Sequence, residues 1–117
     1  MSAGIVGGTT SASAALAFNA QTGTTYTLVA TDADNKLVTM SNASAITLTV
    51  PPSIFTAGQQ INVASIGAGL TTFAAGSGVT ITSTGGTSAA PKLRAQNSAC
   101  TVICTASNTF LVVGDLS

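Results

Sequence analysis

Ala45-Ile46-Thr47-Leu48-Thr49-Val50-Pro51-Pro52 alternates apolar and hydroxyl side chains and then meets two prolines. Side chains on an extended chain repeat every two residues. Ile46, Leu48 and Val50 therefore share one side and Thr47 and Thr49 the other. Val, Ile and Thr are β-branched and suit a pleated surface. Proline has no N–H to give to a ladder, so Pro51 ends the strand. A half-buried β-strand is predicted here.

The same period runs outward in both directions. Upstream, Thr25 to Ala30 alternates around Tyr26 and Leu28, and Lys36 to Met40 is a second strand. Thr31-Asp32-Ala33-Asp34-Asn35 and Ser41-Asn42-Ala43-Ser44 between them are turn chemistry, because Asp and Asn side chains bond their own backbone. Downstream, strands are predicted at Gln60 to Ile66, Leu70 to Ala74, Val79 to Thr82, Pro91 to Gln96, Ala99 to Thr105 and Thr109 to Gly114. No window holds a helical period. No fixed repeat length is visible, which weighs against a regular β-helix. Many short strands separated by turn signals predict an all-β fold: a single antiparallel β-sandwich or jelly-roll-like domain over residues 24–117. Residues 1–23 are rich in Gly, Ser, Ala and Thr and predict an extended N-terminal arm. Ile5, Val6, Leu16 and Phe18 are its large apolar residues and the candidates for holding a partner.

Phe110-Leu111-Val112-Val113 is apolar on both sides, and a strand of that kind is covered on both sides. A neighbouring subunit is the expected cover, with Phe110, Leu111 and Val113 as the candidate subunit interface. Composition points the same way. Hydrophobic residues are 45% of the 117, but charged residues only 5%, and the net charge is zero. Copies of such a chain do not repel one another. Lys36, Lys92 and Arg94 are too few to hold nucleic acid or an anionic membrane surface. No apolar run is long enough for a membrane helix. Met1-Ser2-Ala3-Gly4 lacks a basic signal-peptide start, so assembly in a host cytoplasm is expected.

The chemical motifs dissolve on inspection. Ile5-Val6-Gly7-Gly8 resembles an activated serine-protease start, but there is no His to act as base. Gly67, Gly69, Gly76 and Gly78 lack phosphate-loop spacing and read as turn glycines with positive φ. Asp32-Ala33-Asp34-Asn35 lacks the glycine and the final glutamate of a calcium loop and reads as a turn. Asn42-Ala43-Ser44 is a formal glycosylation triplet, read as chance. Cys100 and Cys104 on one strand stand about 13 Å apart at about 3.3 Å per residue, too far to bridge, and should be free thiols. No enzyme activity, cofactor or metal is expected.

Tyr26-Thr27-Leu28-Val29-Ala30-Thr31-Asp32, Lys36-Leu37-Val38-Thr39-Met40 and Ala43 to Pro51 together resemble a β-domain common in tailed-phage structural proteins. The likeness continues through Gly67-Ala68-Gly69, Ala74 to Ile81 and Lys92-Leu93, and ends with Asn108-Thr109-Phe110-Leu111-Val112-Val113-Gly114-Asp115-Leu116. It implies a virion structural protein. A small free-standing copy looks like a capsid decoration, or cement, protein, a class that resembles β-rich homotrimers clamping the major capsid protein on the head surface. A tail-fibre or spike adhesin module is the alternative. An ice-binding protein is a remote one, suggested by the pairs Thr25/Thr27, Thr47/Thr49 and Thr80/Thr82. Their unequal spacing favours ordinary outward threonines.

Overall fold

The computed structural model describes residues 15–84 and 89–117. Among these residues there are nine strands: eight follow the alternation predicted above, Ala17–Gln21 lies in the segment expected to be an arm, and the strand expected at Pro91 to Gln96 is reduced to single bridges. β1 (Ala17–Gln21), β3 (Lys36–Met40) and β5 (Gln60–Ser65) lie in one sheet. β2 (Thr25–Thr27), β4 (Ile46–Val50) and β6 (Thr71–Ala75) form a second, three-stranded sheet. β7 (Thr80–Ser83), β8 (Ser98–Ala106) and β9 (Thr109–Gly114) return to the first, which is six-stranded in the order β1-β3-β5-β8-β9-β7.

Successive strands from β1 to β6 alternate between the two sheets, and each circuit lands in parallel on the one before. The result is a short parallel β-solenoid, and it corrects the expectation of an antiparallel sandwich or jelly roll. Parallel neighbours need a long connection between them. Here the opposite sheet's strand is that connection, so short turns serve corners where hairpins were expected. β8 runs antiparallel to both its neighbours, β5 and β9, and joins β9 in a hairpin through Ser107 and Asn108, the latter with φ 55. The hairpin inserts between β5 and β7 and pairs β9 in parallel with β7. Lys92 and Leu93 extend the second sheet by bridges to Thr72 and Leu116.

The irregular period hides the solenoid. Thr25 pairs with Thr47 and Thr47 with Thr72, so the circuits differ in length and the corners absorb the difference. Asn42 ties three corners together. Its side-chain amide donates to the Thr22 carbonyl at 2.8 Å, its side-chain oxygen accepts from Ser44 N–H, and its backbone carbonyl accepts from Gly69 N–H at 2.8 Å. The Asn42-Ala43-Ser44 triplet is thus a structural corner. Gly69 sits so close to the corner before it that an added Cβ would fall 1.8 Å from the Ser44 carbonyl oxygen. Of the four glycines read as positive-φ turns, only Gly78 has that conformation. Gly67, Gly69 and Gly76 serve close approach between circuits instead.

The core lies between the sheets and is built in columns. Val38, Val63 and Cys100 stack along the first sheet, and Leu48 and Phe73 along the second. Each is buried. The segment expected to be an arm enters this architecture at Ala17: β1 is part of the sheet, paired along its length with β3. Ile5 and Val6 lie outside the described residues.

Candidate functional site

The first circuit has a polar interior. β1 turns Asn19 and Gln21 inward and Phe18 outward, with Ala20 also exposed, the reverse of the usual strand. Asn19 heads the Val38–Val63–Cys100 column, and Tyr26 heads the Leu48–Phe73 column. Both reach Asp32, which is 0% exposed at the end of a 3-10 turn, Ala30–Ala33. Tyr26 OH donates to Asp32 Oδ2 at 2.6 Å, Asn19 Nδ2 to Oδ1 at 2.8 Å, and Val29 N–H to Oδ2 at 2.9 Å. Gln21 Nε2 donates to Asn19 Oδ1 at 2.8 Å. A buried carboxylate is tolerable because donors converge on it. The pattern makes Asp32 a closure for the apolar core, and it accounts for the aspartate of the calcium-like string without a cation.

The outer face of the six-stranded sheet is the most distinctive surface. One cross-strand row runs Phe18, Leu37, Asn62, Thr101, Val113. The next runs Ala20, Thr39, Ala64, Ala99. Phe18 is 73% exposed, Leu16 41% and Val113 40%. A shallow groove of about 430 Å³ is lined by Leu16, Leu37, Asn62, Ala99, Thr101 and Val113. Across its polar floor Thr101 Oγ1 donates to Asn62 Oδ1 at 2.9 Å. None of the chain's six charged side chains is on this face. Asp32 is buried, Asp34 follows it in the turn, and Lys36 shares the inward side of β3 with Val38. Lys92 and Arg94 lie beside the second sheet, Arg94 in a two-pronged pair with Asp115 at 2.7 and 2.9 Å.

The structure brings most of the expected contact residues to this one face. Leu16 and Val113 line the groove, Phe18 stands beside it, and Leu111 is half-buried between Ile103 and Thr82. Phe110 does not join them. It is 1% exposed, edge-on to Phe55 at 6.0 Å in the core. The apolar residues of β9 thus divide, with Phe110 and Val112 inward and Leu111 and Val113 outward. Leu37, Asn62, Ala99 and Thr101 were missed. Their partners across the sheet cannot be read from spacing alone. The inverted alternation Phe18-Asn19-Ala20-Gln21 was the available signal.

Cys100 and Cys104 are buried free thiols on the inward side of β8. Burial pushes Cys100 up to about 12 from 9.0, and raises Cys104. Burial, then the bond to Asp32, pushes Tyr26 from 10.0 to about 12. A raised folded-state value favours the protonated form. Its stabilisation is complete below the unfolded-state value and is lost as pH rises through the folded one. Thermal stability should therefore be insensitive to these groups below pH 9 and fall between pH 9 and about 12. Cys100→Ala should make that fall shallower, leaving Cys104 and Tyr26 to carry what remains. Melting curves across this range check both. A fall as deep in the variant as in the parent would contradict the role of Cys100.

The outer face of the second sheet carries threonines in register: Thr25, Thr47 and Thr72 in one row, Thr27 and Thr49 in the next, where Ala74 takes the third place. The corners let unequal spacing stack. Thr80 and Thr82 belong to the other sheet. Comparison of the chain with protein-family models and with curated proteins finds no match.

Proposed function

We propose that this chain is a structural protein of a tailed-phage particle, a decoration protein that binds the head lattice and stabilises it by surface contact, between its own copies as well as with the coat. The resemblance over residues 24–116 supports the setting. The observation that carries the mechanism is the uncharged outer face of the six-stranded sheet, where Leu16, Phe18 and Val113 stay exposed on a scaffold with a closed core. Large apolar side chains left exposed on an uncharged face mark a place of contact. Cementing needs such a surface and no reacting group. Purified protein added to undecorated heads of the parent phage should coat them in many copies and raise the temperature at which they rupture. Electron microscopy showing the chain only on the tail would replace this reading with the adhesin one.

The aligned threonine rows favour a second, weaker reading, adsorption to ice, because hydroxyl and methyl groups repeat there on a parallel sheet. An ice-growth assay with Thr47→Lys as control tests it. Unshaped crystals would remove it.

A further inference from the structure

We propose that the outer face of the six-stranded sheet is the contact surface for a second copy of this chain, the two faces meeting about a two-fold axis with Phe18 of each copy seated in the groove of the other. The inference rests on the assembly reading above and names its immediate partner.

The relief of the face is the first ground. Along the row Phe18, Leu37, Asn62, Thr101, Val113 the side chains fall from large at the β1 end to small at the β9 end. The groove is the low part and Phe18 the high one. A two-fold rotation sets each ridge opposite the other copy's valley, and a patch that complements itself is what an isologous dimer requires. The neighbouring row Ala20, Thr39, Ala64, Ala99 carries only small side chains, so a second sheet can come close.

The cost of covering the face is the second ground. The 2.9 Å bond fills the Asn62 oxygen and uses the Thr101 hydroxyl proton, so the other copy has only to supply an acceptor for the Asn62 amide. The face has no charge to desolvate and none to repel its own image. A nucleic acid or a charged peptide would find no complement on it. An identical uncharged face does.

Size is the third ground. Six strands at about 4.8 Å and five or six residues at about 3.3 Å give about 500–600 Å² per copy. Two copies then bury about 1,000–1,200 Å², at the threshold for a specific contact. The inverted alternation of β1 fits as well: its amides face the core while Phe18 is left outside, and burial in a dimer is the arrangement that uses it.

Sedimentation equilibrium of the full chain from low to high micromolar concentration tests the proposal. A monomer–dimer equilibrium is expected, with Phe18→Asp and Val113→Asp each weakening association at least 100-fold and Thr47→Asp, on the opposite face, leaving it unchanged. Phe18 is so exposed that its variant should melt as the parent does, which circular dichroism records. A parent chain monomeric throughout, a dimer indifferent to Phe18→Asp, or a trimer that this variant dissolves would each overturn the two-fold contact. So would a parent that dimerises only once residues 1–14 are removed, since the chain's own terminus would then be the occupant. A dimer that breaks with Phe18→Asp but does not coat heads supports the contact and overturns the decoration reading.

Discussion

Gly69→Ala should destabilise the protein by about 3 kcal/mol or more, lowering the melting temperature by roughly 12 °C. The reason is backbone against backbone. The added methyl would stand 1.8 Å from the Ser44 carbonyl oxygen and 2.8 Å from that of Asn42. No rotamer relieves this, because neither neighbour is a side chain. The two corners must part, and parting them breaks Gly69 N–H to Asn42 carbonyl at 2.8 Å and strains Ile46 N–H to Leu70 carbonyl at 3.0 Å. Gly58→Ala is the control. Gly58 has φ +96 with nothing near its missing Cβ, so the penalty is conformational and should be about 1 kcal/mol. Urea unfolding of both variants gives the comparison. Equal losses would show that corner proximity is not what position 69 demands.

Asp32→Ala should cost about 2–4 kcal/mol, because it takes the acceptor from three part-buried bonds, donated by Asn19, Tyr26 and Val29. The loss should be local as well as large. Amide exchange in β1 and β2 should accelerate well before that in β5 and β8, since Asp32 is what fastens the first circuit to the rest. Asp32→Asn should fall between the parent and the alanine variant. An amide can keep one oxygen toward the donors, but its NH₂ meets either Asn19 Nδ2 or Val29 N–H head-on. Tyr26→Phe removes the bond to Asp32 and the one accepted from Asn19 but leaves the carboxylate its other two donors, and should cost least. A uniform loss of protection across both sheets would show that the network stabilises the whole domain and does not close one end.

Strands were legible and their partners were not. Lys36–Met40 and Thr109–Gly114 fall within the predicted bounds because alternation and turn residues are local signals. The inward side of each followed too: Ile46, Leu48 and Val50 are buried as their spacing required. Whether β4 neighbours β3 or β2 is a different question. It depends on whether Ser41 to Ala45 reverses the chain within one sheet or carries it across to the other, and the same residues suit both. Asp32 reads from the sequence as a plain turn residue because its three donors lie up to 13 positions away in the chain. The contact face was half legible. Leu16, Phe18, Leu111 and Val113 were singled out as apolar residues lacking an evident core. That they share one face follows only from the order β1-β3-β5-β8-β9-β7.

That strand order also imposes a schedule on biosynthesis. β7 leaves the ribosome directly after the stacked circuits, yet the strand it pairs with, β9, begins only at Thr109. At about 5–20 residues per second the nascent chain holds β7 unpartnered for about 1–5 s, while the place beside β5 also waits for β8. Ile81, buried in the finished protein, faces solvent or a chaperone during that interval. The hairpin arrives last and must enter between two strands already made. Ribosome stalling before Thr109 should therefore yield a protease-sensitive chain, and release of the final residues should convert it in one step.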